Sequence, residues 1–319
     1  MTRAPGARAA ETRPVAAVVT HHNLEGLQNL LPSVRLQARD LGFEVIVVDN
    51  ASTGETKKWL STVRDDVTIL SLSSNEGPAA AYNAIMTERP RAIAYALLQD
   101  DLMLRGGELE ALLATLRSNG RIGLVSGLPC SEDGTPLACS FSRRPFGEVF
   151  PRLWNRWMGD LSERREGEAE WVDVIGFSAP LVRGRAAREV GEFDVRLWPA
   201  GFEDLDFCAR LRFRGWGVVL HRGIPIRQKV SVTMEKVFGP RYPILRRSSG
   251  VMYALMNYPS PVAAGRLATA FCRAVAGRSR VERLGDAHGV LRCARNWNYI
   301  WSARADRRRL RLSARGRGT

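Results

Sequence analysis

The chain has 319 residues, 45% of them apolar and 25% charged. That apolar share supports a packed core and excludes a wholly disordered chain, and the length suits one large domain or a domain with an appendage. The net charge of +14 sits at one end: residues 265–319 hold 14 arginines against Glu282, Asp286 and Asp306, which leaves only +3 for residues 1–264.

No apolar run approaches the roughly 20 residues of a membrane-spanning helix. The basic start lacks the apolar block of a secretory signal, so a cytoplasmic chain is expected. The cysteines at 130, 139, 208, 272 and 293 form no C-x-x-C pair, which argues against structural zinc or a disulfide framework and for buried thiols. A basic terminal arm can meet nucleic acid or an anionic membrane surface.

Residues 1–13 read as a disordered start. From Pro14, apolar runs alternate with helical patterns, the signature of an α/β fold with a mostly parallel sheet flanked by helices. Strands are expected at Val15–Thr20, Phe43–Val48, Thr68–Ser71, Ile93–Leu98, Ile122–Ser126, Trp171–Ile175 and Gly217–His221. Helices are expected at Leu24–Leu41, Glu55–Val63, Gly77–Thr87 and Gly107–Asn119, after Gly184, and at Asp204–Phe213. Between about 127 and 170 the chain loses its period and carries Phe141, Phe146, Phe150, Trp154 and Trp157, which favours a substrate-facing subdomain. Residues 241–303 read as a helical carboxyl-terminal extension, packed on the main domain or lying on an anionic surface, and 304–319 as a basic disordered tail.

Four motifs could carry chemistry. Val45–Asp49 followed by Asn50 and Ser52 puts polar groups at the carboxyl edge of a parallel sheet, where open α/β folds bind ligands; Asp49 and Ser52 could equally cap the next helix. Asn75-x-Gly77, with Asn83 further on, lets a helix begin close to an anionic ligand, although a plain turn and packed helix would look the same. Gln99-Asp100-Asp101 ends an apolar strand with two adjacent carboxylates, for which a divalent cation is a natural neutraliser. Glu203-Asp204-x-Asp206 opens an amphipathic helix, where acids are favoured in any case and where a carboxylate facing a cleft can act as a base.

Thr20-His-His-Asn23 follows the first strand in place of a G-x-G-x-x-G turn, and neither a P-loop nor a G-x-S-x-G elbow occurs. A P-loop is therefore excluded, and the pattern argues against a dinucleotide oxidoreductase and an α/β-hydrolase.

From Val15 to about His221 the ordered motifs resemble an inverting glycosyltransferase of family 2, of GT-A (Rossmann-like) fold and rhamnosyltransferase-like. They are Thr20 with Asn23, Asp49-Asn50-x-Ser52, Asn75-x-Gly77 with Asn83, Gln99-Asp-Asp101, Gly191-x-Phe193-Asp194, Glu203-Asp204-x-Asp206 and His221. The resemblance implies a GT-A domain over 14–240 that moves a sugar from a UDP- or dTDP-linked donor to a glycan, a lipid-linked glycan or a small natural product. It places Thr20, Asn23, Asp49, Asn50, Ser52, Asn75, Gly77, Asn83, Gln99 and Asp100 around the donor. Asp101 and His221 would hold Mn²⁺ or Mg²⁺, and the base would lie in the pair Glu203 and Asp204, with Asp204 preferred. Peripheral contact with the inner face of a membrane through the basic carboxyl terminus accompanies this reading. The competing reading is a non-catalytic, basic membrane- or nucleic-acid-binding protein on the same fold; the acids at 101, 203 and 204 favour the enzyme.

Overall fold

The computed structural model describes residues 12–63, 67–137, 141–142, 165–198, 201–229 and 238–315. Residues 1–11 of the expected disordered start, Phe146, Phe150, Trp154 and Trp157, Cys139 and residues 316–319 lie outside the described residues.

In chain order the elements are β1 (Val15–Thr20), α1 (Leu24–Leu41), β2 (Glu44–Asp49), α2 (Gly54–Thr62), β3 (Thr68–Ser71), α3 (Gly77–Glu88), β4 (Ala94–Gln99) and β5 (Leu102–Met103). There follow α4 (Glu108–Ser118), β6 (Ile122–Cys130), β7 (Phe141–Ser142), β8 (Arg165–Glu166), β9 (Ala169–Val172), β10 (Val174–Ile175), β11 (Leu181–Arg183) and α5 (Gly184–Val190). The last are α6 (Glu203–Phe213), β12 (Gly217–Gln228), α7 (Tyr242–Asn257), α8 (Ser260–Ala276), α9 (Arg280–Arg295) and α10 (Trp297–Arg315).

The main sheet runs β3-β2-β1-β4-β11-β6-β12-β9-β8, with β5 beside β12. β3, β2, β1 and β4 are mutually parallel, and β6 is parallel to β12. β11 lies antiparallel between β4 and β6, so the sheet is mixed, with its parallel strands ending along one edge. Both faces are buried, which explains why these strands read as continuous apolar runs. Side-chain alternation divides each run between two cores. Ala16, Val18, Val47, Ala96 and Leu98 meet Leu27, Leu31 and Val34 of α1 and Leu109 and Leu112 of α4. Val15, Ala17, Ile46, Val48 and Leu97 meet Tyr82 and Ile85 of α3, Ala186 and Val190 of α5, and Phe207 and Leu211 of α6.

The carboxyl-terminal helices build a third core from Val251, Met252, Met256, Ala270, Cys293 and Ile300, closed by Leu197 from the 3-10 turn Val195–Leu197. Cys272 is exposed, unlike the buried Cys130, Cys208 and Cys293, which corrects the expectation for that thiol. The expected disordered tail is also corrected, because residues 304–315 continue α10 as helix. The physical reason is a buried ionic network that composition does not reveal. Arg307 is buried and donates both to Asp206 Oδ1 and, at 2.9 Å, to Asn257 Oδ1. Asp206 also receives Asn257 Nδ2 and Arg210 Nε, each at 2.8 Å, and Tyr299 donates to Asp194, which lies 3.7 Å from Arg307.

Removing one member of such a network leaves a buried charge uncompensated, at a cost of about 3–5 kcal/mol. Arg307→Ala should lower the urea midpoint at pH 7 correspondingly. The guanidinia of Arg307 and Arg210 outweigh burial and hold the Asp206 carboxyl down at about 2, below an unfolded value of about 3.9. Its stabilisation is therefore present above about pH 4 and lost as pH falls towards 2. Asp206→Asn should remove that part of the acid dependence; an acid limb identical to wild type would show that this carboxylate does not set it.

Candidate functional site

A cavity of about 200 Å³ opens at the carboxyl edge of β1, β2 and β4, lined among others by Thr20, His21, Asn50, Asn75, Gly77, Gln99, Asp100, Asp101, Trp198, Glu203 and Tyr242. Asn50, the first residue after β2, donates from Nδ2 to Asn75 Oδ1 at 3.0 Å and to the Gly77 carbonyl at 3.3 Å. Asn75 Oδ1 also accepts the Gly77 N–H at 3.1 Å, so Asn75-x-Gly77 is a side-chain-closed turn that aims the start of α3 at the cavity. Asn50 Oδ1 is buried with no hydrogen-bond partner among the described residues. Gly77 has φ +85°, and a Cβ there would stand 2.2 Å from the Trp198 ring. Only glycine meets both requirements.

Asp49, Ser52, Asn23 and Asn83 stand behind this wall rather than in it. Asp49 Oδ1 accepts the Ser52 N–H at 2.8 Å, and Ser52 Oγ accepts the His22 N–H at 3.0 Å. These bonds fix the turn after β2 and tie it to the loop after β1, and Ala51 in the one and His22 in the other both have positive φ, 61° and 56°, the kind of strain that collects near functional sites. Asn23 caps α1 by accepting the Gly26 N–H at 3.1 Å and donates to the Asp100 carbonyl at 3.3 Å. Asn83 clamps the Phe193 backbone, donating to its carbonyl at 2.9 Å and accepting its N–H at 2.7 Å.

Gln99 donates to the Phe177 carbonyl at 3.3 Å. Asp100 Oδ2 accepts the His21 N–H at 3.3 Å, yet burial pushes its carboxyl above the ordinary range, against the hydrogen bonds it receives.

On α6 the two candidate bases differ. Glu203 is buried and faces the cavity, its Oε2 without a hydrogen-bond partner among the described residues. Burial, and then the charge of Asp204, push Glu203 up to about 8. Asp204, preferred from the sequence, is occupied by the backbone: Oδ2 accepts the Phe177 N–H at 3.2 Å and Oδ1 the Leu205 N–H at 2.7 Å. Burial raises this carboxyl too, but it does not line the cavity.

His221 is not brought to Asp101, which corrects its expected place beside a cation. On β6, His221 pairs with Gly127 and Arg227 with Cys130, so about 10 Å of strand at 3.3 Å per residue separates His221 from Arg227. Arg227 is level with Met103, and Asp101 is further still, its backbone carbonyl accepting the Lys229 N–H at 2.9 Å. Among the described residues no three His, Cys, Asp or Glu side chains form a group that could hold a metal. The carboxylates present fit a cation whose shell is completed by phosphate oxygens of a substrate, as is usual for Mg²⁺.

The sequence gives little sign of three lining residues. His21 directly follows Thr20, and its ring nitrogen meets the Asn50 carbonyl at 2.7 Å. Trp198 follows the 3-10 turn and is held through its carbonyl by Arg292 of α9 at 2.7 Å. Tyr242 opens α7.

Residues 16–174, about half of the chain, match the family model for glycosyl transferase family 2. The fold is that of GT-A glycosyltransferases. The mannosyltransferase PcManGT from Pyrobaculum calidifontis, in complex with GDP-Man and Mn²⁺, shares it with a TM-score of 0.53 at 18% identity over 95% of this chain and 88% of its own. TarS 1–349 from S. aureus does so with a TM-score of 0.54 at 14% identity, over 96% of this chain and 92% of its own. GalNAc-T7 with UDP, GalNAc and Mn²⁺ gives a TM-score of 0.53 at 13% identity over 80% of this chain and 54% of its own. No curated protein shows significant sequence similarity to this chain.

Gly77→Ala should strain the turn and drive Trp198 out of the cavity wall. Expected outcomes are a stability loss of about 1–3 kcal/mol and quenched ligand-dependent changes in tryptophan fluorescence; an unaltered ligand response would show that the ring tolerates the methyl group.

Proposed function

We propose that this chain, with its family 2 segment on a GT-A fold, transfers a hexosyl or deoxyhexosyl group from a UDP- or dTDP-linked donor to an acceptor hydroxyl with inversion, in the rhamnosyltransferase-like manner. The observation that carries this reading is the convergence, on one cavity, of Asn50, Asn75 and the start of α3 with Asp100 and Asp101, in the turn after β4, and Glu203 from α6. The nucleoside-diphosphate sugars GDP-Man and UDP-GalNAc components in the neighbouring structures support the donor class.

Asn50 Oδ1 and the α3 turn would hold the nucleoside, with Thr20, Asp49 and Ser52 supporting the turns that face it. The acceptor oxygen attacks the anomeric carbon while its proton passes to Glu203, and the bond to the diphosphate oxygen breaks with its electron pair leaving on the nucleoside diphosphate. Glu203 is the carboxylate that α6 turns to the cavity, and one base on the acceptor side is what a single inverting displacement requires. A divalent cation, Mn²⁺ or Mg²⁺, held by Asp101 with Asp100 adjacent, would offset charge on the diphosphate.

A cytoplasmic enzyme in peripheral contact with the inner face of a membrane fits the carboxyl-terminal helices. No described helix is long and apolar enough to cross a bilayer. Phe271 and Val275 of α8, Leu284 and Leu291 of α9, and Trp297 and Trp301 of α10 are nevertheless exposed, interleaved with arginines as on interfacial helices. A glycan or lipid-linked acceptor would meet the cavity there; a small-molecule acceptor needs no such surface.

Glu203→Gln should cut transfer from UDP- and dTDP-sugars by about 10² to 10⁴ while nucleotide binding persists. Because burial and the charge of Asp204 push the Glu203 carboxyl well above the ordinary carboxylate range, and because it must be ionised to accept a proton, wild-type kcat/KM should climb with pH through the neutral range before levelling off. A flat profile from pH 6 to 9, or full activity in Glu203→Gln with none in Asp204→Asn, would return the role to Asp204. Replacing Trp297 and Trp301 with Ser should weaken flotation with anionic vesicles about tenfold or more; undiminished flotation would dismiss these helices as the membrane face.

A further inference from the structure

A second cavity, of about 470 Å³, lies beside the first on the carboxyl-terminal helices. Its walls include Phe202, Tyr242, Arg246, Arg247, Gly250 and Arg266, and Tyr242 lines both cavities. Phe202 directly precedes Glu203 and has φ +81°, which turns its ring towards α7. A Cβ on Gly250 would stand 3.1 Å from that ring, and the ring lies 5.4 Å from that of Tyr253. This wall is therefore tightly built.

The charge of the second cavity is positive. Arg247 is anchored, donating at 2.8 Å to the buried Asp286 with Glu282 at 4.0 Å, while its Nε is buried without a hydrogen-bond partner among the described residues. Arg246 and Arg266 form no ion pair among the described residues. The charge of Arg246 reaches Asp204, whose carboxyl it lowers in opposition to burial.

We propose that this cavity binds a phosphate group carried by the acceptor. The proposal rests on the glycosyltransferase reading of the adjoining cavity and names the acceptor class. The donor's polar partners lie on β1, β2, β4 and α3, so an acceptor hydroxyl that reaches Glu203 from the α7 side brings the rest of its molecule over Arg246 and Arg266. Guanidinia present several donors in a planar fork matched to phosphate oxygens. Three of them fit a phosphate ester, with charge near −2 and three acceptor oxygens, better than one carboxylate. The phosphate undergoes no chemistry here; it holds the acceptor while the hydroxyl is positioned.

The test uses the full chain, first screened for thermal stabilisation by UDP, dTDP and GDP, and then titrated with glycerol 3-phosphate at saturation of the nucleotide that stabilises most. Wild type should bind glycerol 3-phosphate beside the nucleotide, and R246Q/R266Q should bind it at least tenfold more weakly with nucleotide affinity unchanged. A parallel arm compares phosphatidate vesicles with phosphatidylcholine vesicles, with R308Q/R309Q removing two exposed charges elsewhere. Specific loss of phosphatidate binding in R246Q/R266Q alone assigns a lipid-borne phosphate, and specific loss of only glycerol 3-phosphate assigns a soluble ester. Equal losses in both double variants, weakened nucleotide binding in R246Q/R266Q, or no phosphate binding in either arm of the wild type would overturn the proposal. If no nucleotide stabilises the chain, the donor reading fails with it; if nucleotide binds and phosphate does not, only the present proposal fails.

Discussion

Asp206 is a fully buried carboxylate, and a protein interior tolerates such a charge only when opposite charge and hydrogen-bond donors surround it. Desolvation costs several kcal/mol per ion, so the gain lies less in stability than in geometry. Arg210 answers one oxygen and also donates to the carbonyls of Val190 and Glu192 at 2.7 and 2.8 Å. Arg307 and Asn257 answer the other. One carboxylate thereby joins the loop after α5, the α6 helix, α7 and the last helix of the chain. Arg292 adds a second tie by holding the Trp198 carbonyl. The basic carboxyl-terminal helices are thus part of the cavity's support.

The start of α6 treats neighbouring acids in opposite ways. Asp206 meets two guanidinia and is held ionised, whereas Glu203, one turn earlier, meets burial and the like charge of Asp204. Acids at a helix start are ordinarily favoured in their charged form. Here the helix opens on Phe202 in a left-handed conformation, and desolvation of Glu203 outweighs the dipole. Environments that push neighbouring carboxyls apart in this way divide structural from chemical roles.

Legibility follows the range of the interactions involved. Val15–Thr20, Leu24–Leu41 and Thr68–Ser71 match the observed bounds because strand and helix periods are local. Asn50, Asn75, Gly77, Asp100 and Glu203 reach one cavity because turns at a parallel sheet edge bring them there. β11 is only three residues long and carries no pattern of its own, and β12 runs on through a bulge and Pro225 to Gln228, beyond the strand expected to end at His221. That extension is what separates His221 from Asp101. The order of residues 304–315 depends on Asp206, about a hundred positions earlier, and an arginine-rich composition conceals it. The orientation of Glu203 relative to Asp204 is settled by the backbone groups of Phe177 and Leu205, which sequence spacing does not encode.

The reversed strand β11 also orders the molecule in time. β6 follows β4 closely in the chain, after only the two-residue β5 and α4, but the two are held one strand apart by Leu181–Arg183, so the sheet cannot close until about 50 further residues have left the ribosome. β3, β2, β1 and β4 can pair as soon as each is made, whereas the join waits on contacts of long sequence separation, which form slowly. Arg307 reaches Asp206 later still. A nascent chain therefore assembles its Asn50–Asn75 wall well before α6 is pinned, and its two unjoined sheet edges are the surfaces that a chaperone would have to cover in the interval.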